Sequence, residues 1–537
     1  MRTSTYEIFL PLTGADEKPI EGRALLINGL YGAVDVVTQE ERDVIAAGEF
    51  EKLPLPVFER LSLRGHITRK TEEEEVADMR LLSRVYKIIP ARSSVELAIM
   101  PTYDCNFRCP YCFEQHRLKN GEVWLESIME NETMDAIFAA LDDYRARGCA
   151  LSACTLYGGE PFLEKNREVV RRIADRCKAR GMKIGVVTNG YDLESFLDFI
   201  EEYQIHSLQV TVDGTAEVNN RRRLHKDGLP TYDRILNNVE LALRRGVGIR
   251  LRVNVGRENL HGIGALLGDL RERGLIGKAD TKPAHPVSAP GHLQPSEKAQ
   301  AGRGDFSYYF KAVNDDAHPE NNVSEQAIID ELMKTGFTAR EAIRRQSQYD
   351  TLAEGLSELF RKETFPRFSP AYCGAEQGML VVDPFGKVYT CWDIVAKEEN
   401  SVGFVDQDLG RFLWNFNKAK WRVRTTDNLE ACRACPYAFL CRCGCASRAY
   451  YEHGSLFREY CGEIREIVAF VASHMAGAEW EKNHDEEMTL SLAGPLSRLT
   501  EAERETIMTT KSQKEMFGIV KELGLFAGAE EKAYNTL

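Results

Sequence analysis

The sequence predicts an α/β protein with a parallel sheet at its centre, either doubly wound or curved into a barrel. Two observations predict it. Between residues 95 and 282 short apolar runs alternate with stretches of helical period, the pattern of parallel strands joined by right-handed crossovers. At 537 residues the chain also exceeds one typical domain, so the α/β portion has neighbours on both sides. In either architecture, ligands gather at the carboxyl ends of the strands.

Residues 1–72 form a first small unit, with strands expected in "YEIFLPL", "RALLI" and "GAVDVV". Thr38 and Glu41 in "TQEERDVIAA" make a capping box that opens a helix. A short helix in "LPVFERLSLRG" and a strand at "HITR" follow. The acidic run over 73–94 is a connecting helix with a solvated face. Strands of the α/β part are expected at "VELAIMP", "LSACTLY", "KIGVVTN", "SLQVTVD" and "IRLRVNV", with a sixth somewhere in "LIGKADTKPA". Helices are expected near 132–147, 166–180, 193–202, 231–245 and 260–273. Residues 283–322, rich in Pro, Gly, Ser and charge, are expected to be a loop or insertion over the active face. Helices return to about 362, completing a bridging segment 283–372. Residues 373–462 hold most of the cysteines, and 463–537 is helical and amphipathic.

With 69 basic and 82 acidic side chains, the net charge is −13. That balance argues against nucleic acid as a partner, because phosphate binding draws on clustered Lys and Arg. No apolar run is long enough to span a membrane, and the N-terminus lacks a signal-peptide pattern. A cytoplasmic protein is therefore expected, and its 14 cysteines belong to a reducing compartment where clustered thiols hold metal. They fall into three groups: Cys105, Cys109 and Cys112; eight between Cys373 and Cys461; and the scattered Cys149, Cys154 and Cys177. The scattered three are expected as small apolar core residues.

The first group lies in "PTYDCNFRCPYCFEQ", residues 101–115, directly after the first strand of the α/β part. Structural zinc needs four ligands, and three thiols with His116 nearby keep that reading open. The spacing and setting resemble the radical S-adenosylmethionine superfamily, with Phe107 and Tyr111 at that motif's aromatic positions. The resemblance implies a partial (β/α)6 TIM-type barrel. It also implies that Cys105, Cys109 and Cys112 bind three irons of a [4Fe-4S] cluster and S-adenosylmethionine chelates the fourth. Reductive cleavage of that molecule then yields a 5′-deoxyadenosyl radical.

Later strand ends carry further matches. "YGGEP" (157–161) resembles the family's glycine-rich turn, in which Gly158, Gly159 and Glu160 meet the methionyl amino group. Glycines let backbone approach a ligand closely, and a carboxylate complements an ammonium. Thr188 in "VTNG", Thr211 and Asp213 in "TVDG", and Asn254 in "RVNV" stand where the family places cofactor-facing polar groups. Arg221, Arg222 and Arg223 read first as an exposed basic face and second as a contact to the cofactor carboxylate.

In the second cysteine region Cys373, Gly386, Cys391, Cys432, Cys435, Cys441, Cys445 and Cys461 follow one another in an order that resembles the SPASM extension of radical enzymes acting on peptides and proteins. The resemblance implies one auxiliary [4Fe-4S] cluster on Cys432, Cys435, Cys441 and Cys461, and three ligands of another in Cys373, Cys391 and Cys445. Cys443 stands where relatives have glycine, and is open as a fourth ligand, a spare thiol or buried filler. Three clusters in all are implied. Asp393, two residues after Cys391, reads first as an exposed loop residue and second as a candidate catalytic base.

Residues 1–72 resemble the winged, leader-binding domain of enzymes that modify ribosomally made peptides. Together these resemblances imply a precursor peptide with a leader as substrate, a flavodoxin- or ferredoxin-type electron donor, and a thioether or carbon–carbon crosslink as product. An anaerobic sulfatase maturase shares both cysteine regions. An iron–sulfur carrier without radical chemistry is the alternative from another class.

Overall fold

The computed structural model describes residues 1–88, 96–114, 127–277, 304–315, 318–360 and 369–483, with 500, 502, 503 and 506. His116 and all of 283–303 lie outside the described residues. The chain divides into two compact units, one of residues 1–92, 352–373 and 423–535, the other of 93–351 and 374–422.

In the first unit, β1 (Arg2–Thr3) pairs antiparallel with β5 (Ile67–Thr68). Strands β2 (Glu7–Thr13), β3 (Pro19–Asn28) and β4 (Val34–Thr38) make a three-stranded antiparallel sheet. Thr38 caps the helix Gln39–Ala47, its side chain accepting from Glu41 N while the Glu41 carboxylate returns to Thr38 N. Helices Leu55–Leu63 and Glu72–Ile88 follow, and Ile45, Val57 and Leu61 pack with Leu26 and Val37 of the sheet. The helix Ile464–Asn483 packs on β2.

Beneath this sheet lies a buried charge relay that periodicity does not announce. His66 is without solvent exposure, its Nδ1 2.8 Å from Glu7 Oε1 and its Nε2 2.8 Å from Asp35 Oδ2. Arg64 Nε adds a 2.6 Å contact to the same Asp35 oxygen. Burial opposes the imidazolium, but the two carboxylates outweigh it and lift the His66 pKa to about 9. A histidine raised in this way stabilises the fold fully below its unfolded value, near 6.5, and the contribution disappears as pH rises through about 9. The thermal stability of the wild type is therefore expected to decline from about pH 6.5 to about pH 9 and to level off beyond it. H66Q leaves Glu7 buried without its cation, at a cost of about 3–5 kcal/mol already at neutral pH, and removes the alkaline step. An unchanged alkaline step in H66Q would overturn this account.

The second unit is built on a ten-stranded sheet. Strands β6 (Leu97–Ile99), β7 (Ala153–Leu156), β8 (Lys183–Thr188), β9 (Ser207–Val212), β10 (Ile249–Val255) and β11 (Phe306–Ala312) run parallel and lie side by side in sequence order. That is the order of a singly wound βα run, without the reversal of a doubly wound sheet. On β6's other side β12 (Leu380–Val382) continues parallel, and β13 (Lys387–Tyr389), β14 (Gly403–Asp406) and β15 (Arg411–Trp414) extend the sheet antiparallel. Leu208, Val210, Val212, Leu251 and Val253 are 0–2% exposed, each contributing about 1.5–3 kcal/mol by its burial. The crossover helix Arg167–Ala179 buries Val169, Val170, Ile173, Ala174 and Cys177, a stripe of helical period.

One expectation is corrected here. The sixth parallel strand described is Phe306–Ala312, inside the segment expected to be loop; Leu275–Gly277 of "LIGKADTKPA" is not strand, and 278–284 lie outside the described residues. "FSYYFKA" is aromatic and β-prone, but the Gly, Pro and Ser of its surroundings mask it in a window average. Cys154 and Cys177 are buried as expected, whereas Cys149 is only half-buried.

Candidate active site

The cysteine loop leaves β6 at Met100 and is pinned from two directions. Asp104 O accepts from Glu160 N at 2.7 Å, and beyond it Arg108 N donates to Leu224 O (2.7 Å) while Asn106 O accepts from Lys226 N (2.8 Å). Phe107, buried, sets its ring edge-on to Tyr191 and His225 at centroid distances of 5.7 and 6.0 Å. The motif's aromatic position therefore anchors the loop. The three thiols lie near enough to influence one another. Burial first, then Glu160 and Cys109, push the Cys105 thiol well up; burial, Glu114 and Cys109 do the same for Cys112. Burial also raises Cys109, against Arg223. Thiols so raised stay protonated until a metal displaces the proton. Phe107 N donates to Cys105 Sγ at 3.3 Å, with Asn189 Nδ2 at 3.8 Å.

The turn after β7 requires its glycines. Gly158 and Gly159 have φ of +82° and +50°, and a Cβ on Gly159 would run into Asp104 O and stand 2.7 Å from the Tyr103 carbonyl carbon. Gly159 N instead donates to both Glu114 carboxylate oxygens, at 3.1 and 2.9 Å. Glu160 is 2% exposed and accepts from Phe162 N (2.9 Å), Thr188 Oγ1 (2.7 Å) and Asn189 N (2.6 Å). These bonds use three of its roughly four acceptor positions, leaving one for a ligand. Burial is the main cause that lifts its pKa to about 7.

Asp213, fully buried at the end of β9, accepts from Tyr111 Oη and from Arg222 Nε (3.3 Å). Among the described residues its Oδ1 finds no hydrogen-bond partner, nor do Arg222 Nη2 and Arg223 Nε. Arg223 Nη1 donates to Tyr111 Oη at 3.0 Å and Asn254 Nδ2 approaches it at 3.4 Å, so Asp213 and Asn254 both face the cysteine loop. Thr211 is buried on the same strand. The reading of Arg221, Arg222 and Arg223 as an exposed face is corrected for two of the three. Arg221 is exposed and pairs with Glu258, while Arg222 and Arg223 are 5% and 7% exposed and lie over Tyr111 and Phe107. A short helix, Ala216–Arg222, turns them back towards the loop, which three consecutive letters cannot reveal.

Asp393 belongs to this same unit. Phe113 stacks on Tyr157 (6.1 Å, 9°), Tyr157 lies 5.4 Å from Trp392, and Asp393 acts electrostatically on the Tyr157 hydroxyl. Residues that sequence reasoning missed are Glu114, Tyr157 and Arg252. Arg252 had a visible signal, since Arg250, Arg252 and Asn254 alternate with the apolar residues of "IRLRVNV".

In the first unit Cys432, Cys435, Cys441 and Cys461 act on one another: after burial, the influences raising Cys441 to about 12 are Cys432, Cys461 and Cys435. Cys443, 1% exposed, gives its thiol to Cys432 and lowers that group. Arg442, Cys443 and Gly444 have φ of +58°, +66° and +69°, the region that favours glycine, so the backbone accounts for the glycine of related sequences. Buried Arg424 holds this turn through Gly444 O (2.9 Å), Cys443 O (3.0 Å) and Leu456 O (2.8 Å). Tyr372 feels both Cys445 and Cys373; Cys391 lies in the second unit, beside Trp392. Among the described residues no group of three or more His, Cys, Asp or Glu closes on a single ion. Cluster thiolates bond to separate irons and need no such convergence.

Residues 99–270 match the Radical SAM superfamily. This segment is a radical SAM domain. It implies S-adenosylmethionine and a [4Fe-4S] cluster, and the donors fit: three thiols on one pinned loop, with no fourth thiol on it. A GTP 3′,8-cyclase of Synechocystis sp. is 32% identical over 163 residues, 30% of this chain and 46% of the relative, so the match spans about half of that protein. A cysteine-type anaerobic sulfatase-maturating enzyme of Clostridium novyi is 22% identical over 369 residues, 66% of this chain and 88% of the relative. Among solved structures, native anSMEcpe with bound AdoMet has a TM-score of 0.49 at 18% identity, covering 70% of this chain and 97% of its own. Streptococcus suis SuiB bound to precursor peptide SuiA has 0.46 at 13%, covering 85% and 98%. No helix among the described residues is long and apolar enough to cross a membrane.

Proposed function

We propose that this radical SAM domain serves a peptide maturase, which abstracts one hydrogen atom from a ribosomally made precursor peptide and closes a thioether or carbon–carbon crosslink as the substrate gives up a further proton and one electron, the electron to an iron–sulfur acceptor. The observation that carries the reading is the pairing, in one chain, of an open three-thiol loop with a second, four-thiol group, Cys432, Cys435, Cys441 and Cys461. When bound, the [4Fe-4S] cluster on the loop and S-adenosylmethionine supply a 5′-deoxyadenosyl radical. Cys105, Cys109 and Cys112 hold the cluster. Gly158 and Gly159 bring backbone close to the cofactor, and the remaining acceptor position of Glu160 accepts a hydrogen bond from its methionyl amino group. Thr188, Thr211, Asp213 and Asn254 line the strand ends around it. Asp393 takes the proton of the reacting substrate thiol. The three-stranded sheet and helices of residues 1–72 support a role in holding a leader, which would add to the sheet as a further strand.

In D393N the crosslinked product is expected to fall by about 10²–10⁴. The deficit should shrink above pH ~8.5, where a substrate thiol ionises unaided. Product formation that is equal at pH 7 and pH 9 in variant and wild type would remove Asp393 from this role. The sulfatase-maturating relative, matched over 88% of its length, favours a second reading, oxidation of a sulfatase Cys or Ser. One experiment separates the two. Reconstituted enzyme with S-adenosylmethionine and dithionite is offered either a Cys-rich peptide encoded beside its gene or a sulfatase active-site peptide, and mass spectrometry follows 5′-deoxyadenosine and the product. Loss of two hydrogens from the first supports crosslinking; formylglycine in the second supports the alternative.

A further inference from the structure

The registers of β9, β10 and β11 put Arg250 opposite Gln209 and Ser307, Arg252 opposite Thr211 and Tyr309, and Asn254 opposite Lys311. Alternation along each strand sends Arg250, Arg252 and Asn254 to the face that meets the cysteine loop, away from the buried Leu251 and Val253. This wall is cationic. Arg250 lies over Tyr309 at 4.7 Å, and Lys311 is 3.9 Å from Glu325 Oε1. Arg252 is half-buried, and among the described residues its side chain gives one hydrogen bond, from Nε to Asn254 Oδ1 at 2.7 Å. Among the described residues its guanidinium forms no ion pair with a carboxylate. Burial works against its charge, yet its pKa is raised, and Asp213 is the carboxylate among the causes. A guanidinium carries five donors in a fixed fork suited to a carboxylate, and here most of that fork is unspent inside the site.

We propose that Arg252, flanked by Arg250 and Lys311, is a subsite for a carboxylate of the substrate, an Asp or Glu side chain close in the peptide to the reacting residue. The inference rests on the peptide reading above. The same chemistry is carried by the methionyl carboxylate of S-adenosylmethionine, and the test separates the two sources.

Holoenzyme reconstituted with iron and sulfide and loaded with S-adenosylmethionine is panned anaerobically against random peptides displayed on phage. Wild type and R252K are expected to recover peptides rich in Asp and Glu. The enrichment should fall about tenfold in R252Q, the worth of a charged hydrogen bond, and turn to Lys and Arg in R252E. Equilibrium dialysis should give S-adenosylmethionine affinities within about twofold of one another across the series. Equal acidic enrichment from wild type and R252E overturns the proposal. So does an R252E that loses about tenfold in S-adenosylmethionine affinity with its recovered peptides unchanged, because the guanidinium then holds the cofactor. Iron content and thermal unfolding, matched across the variants, exclude misfolding. If wild type cleaves no S-adenosylmethionine, the maturase reading fails, while the panning still reports on Arg252.

Discussion

Replacing Cys105, Cys109 and Cys112 together by Ala is expected to remove about four irons per chain and to abolish 5′-deoxyadenosine formation, while any iron on the second cysteine group stays. The reason is local. The three thiols lie on one loop pinned at Asp104, Asn106 and Arg108 by backbone hydrogen bonds of 2.7–2.8 Å, and the Phe107 ring, not the thiols, anchors that loop between Tyr191 and His225. Removing the sulfurs therefore leaves the fold intact. Iron analysis and mass spectrometry on the reconstituted variant check both halves. Unchanged iron, or continued cleavage of S-adenosylmethionine, would refute the assignment of this loop. The same variant separates a radical enzyme from a simple electron carrier, whose remaining iron would sustain its role undiminished.

The second large effect is expected from G159A. At φ +50° an alanine costs about 1–2 kcal/mol in backbone strain alone. Its Cβ would also press on the Tyr103 carbonyl carbon and Asp104 O, which are backbone atoms of the cysteine loop itself. The loop must shift to admit it, and with it the bond from Glu160 N to Asp104 O. Displacing reacting groups by about 1 Å costs on the order of 10² in rate, so S-adenosylmethionine cleavage should fall at least that far. Global unfolding should move little. G181A is the control: Gly181 has a similar positive φ of +65° with no atom of the described residues within 4 Å of a Cβ, so it carries the strain without the clash. Equal losses in the two variants would attribute the effect to strain and dismiss the close approach.

Both expectations rest on features that differ in how far the sequence discloses them. Strands β6 to β10 and their crossover helices were legible because apolar residues alternate with period two in "KIGVVTN" and "SLQVTVD" and switch to helical period in "REVVRRIADRCKA". The cysteine spacing and the YGGEP turn were legible because both are contiguous, and the capping box at Thr38 and Glu41 for the same reason. The strand Phe306–Ala312 was hidden by its Gly- and Pro-rich surroundings. Arg222 and Arg223, in a run of three arginines, looked solvated; the turn after the helix Ala216–Arg222 buries them over Tyr111 and Phe107.

What the sequence determined by itself, then, is local: element type, from the period of burial, and metal chemistry, from thiols crowded within a few residues. What only the tertiary structure decided is every meeting of residues far apart in the chain. Glu114 reaches Gly159, Tyr111 reaches Asp213, and His66 joins Glu7 to Asp35. The physical reason is that a charge or hydroxyl shows the same letter whether it is solvated or buried. Its energy, and hence its role, depends on which partners the fold brings within hydrogen-bonding distance once water is removed.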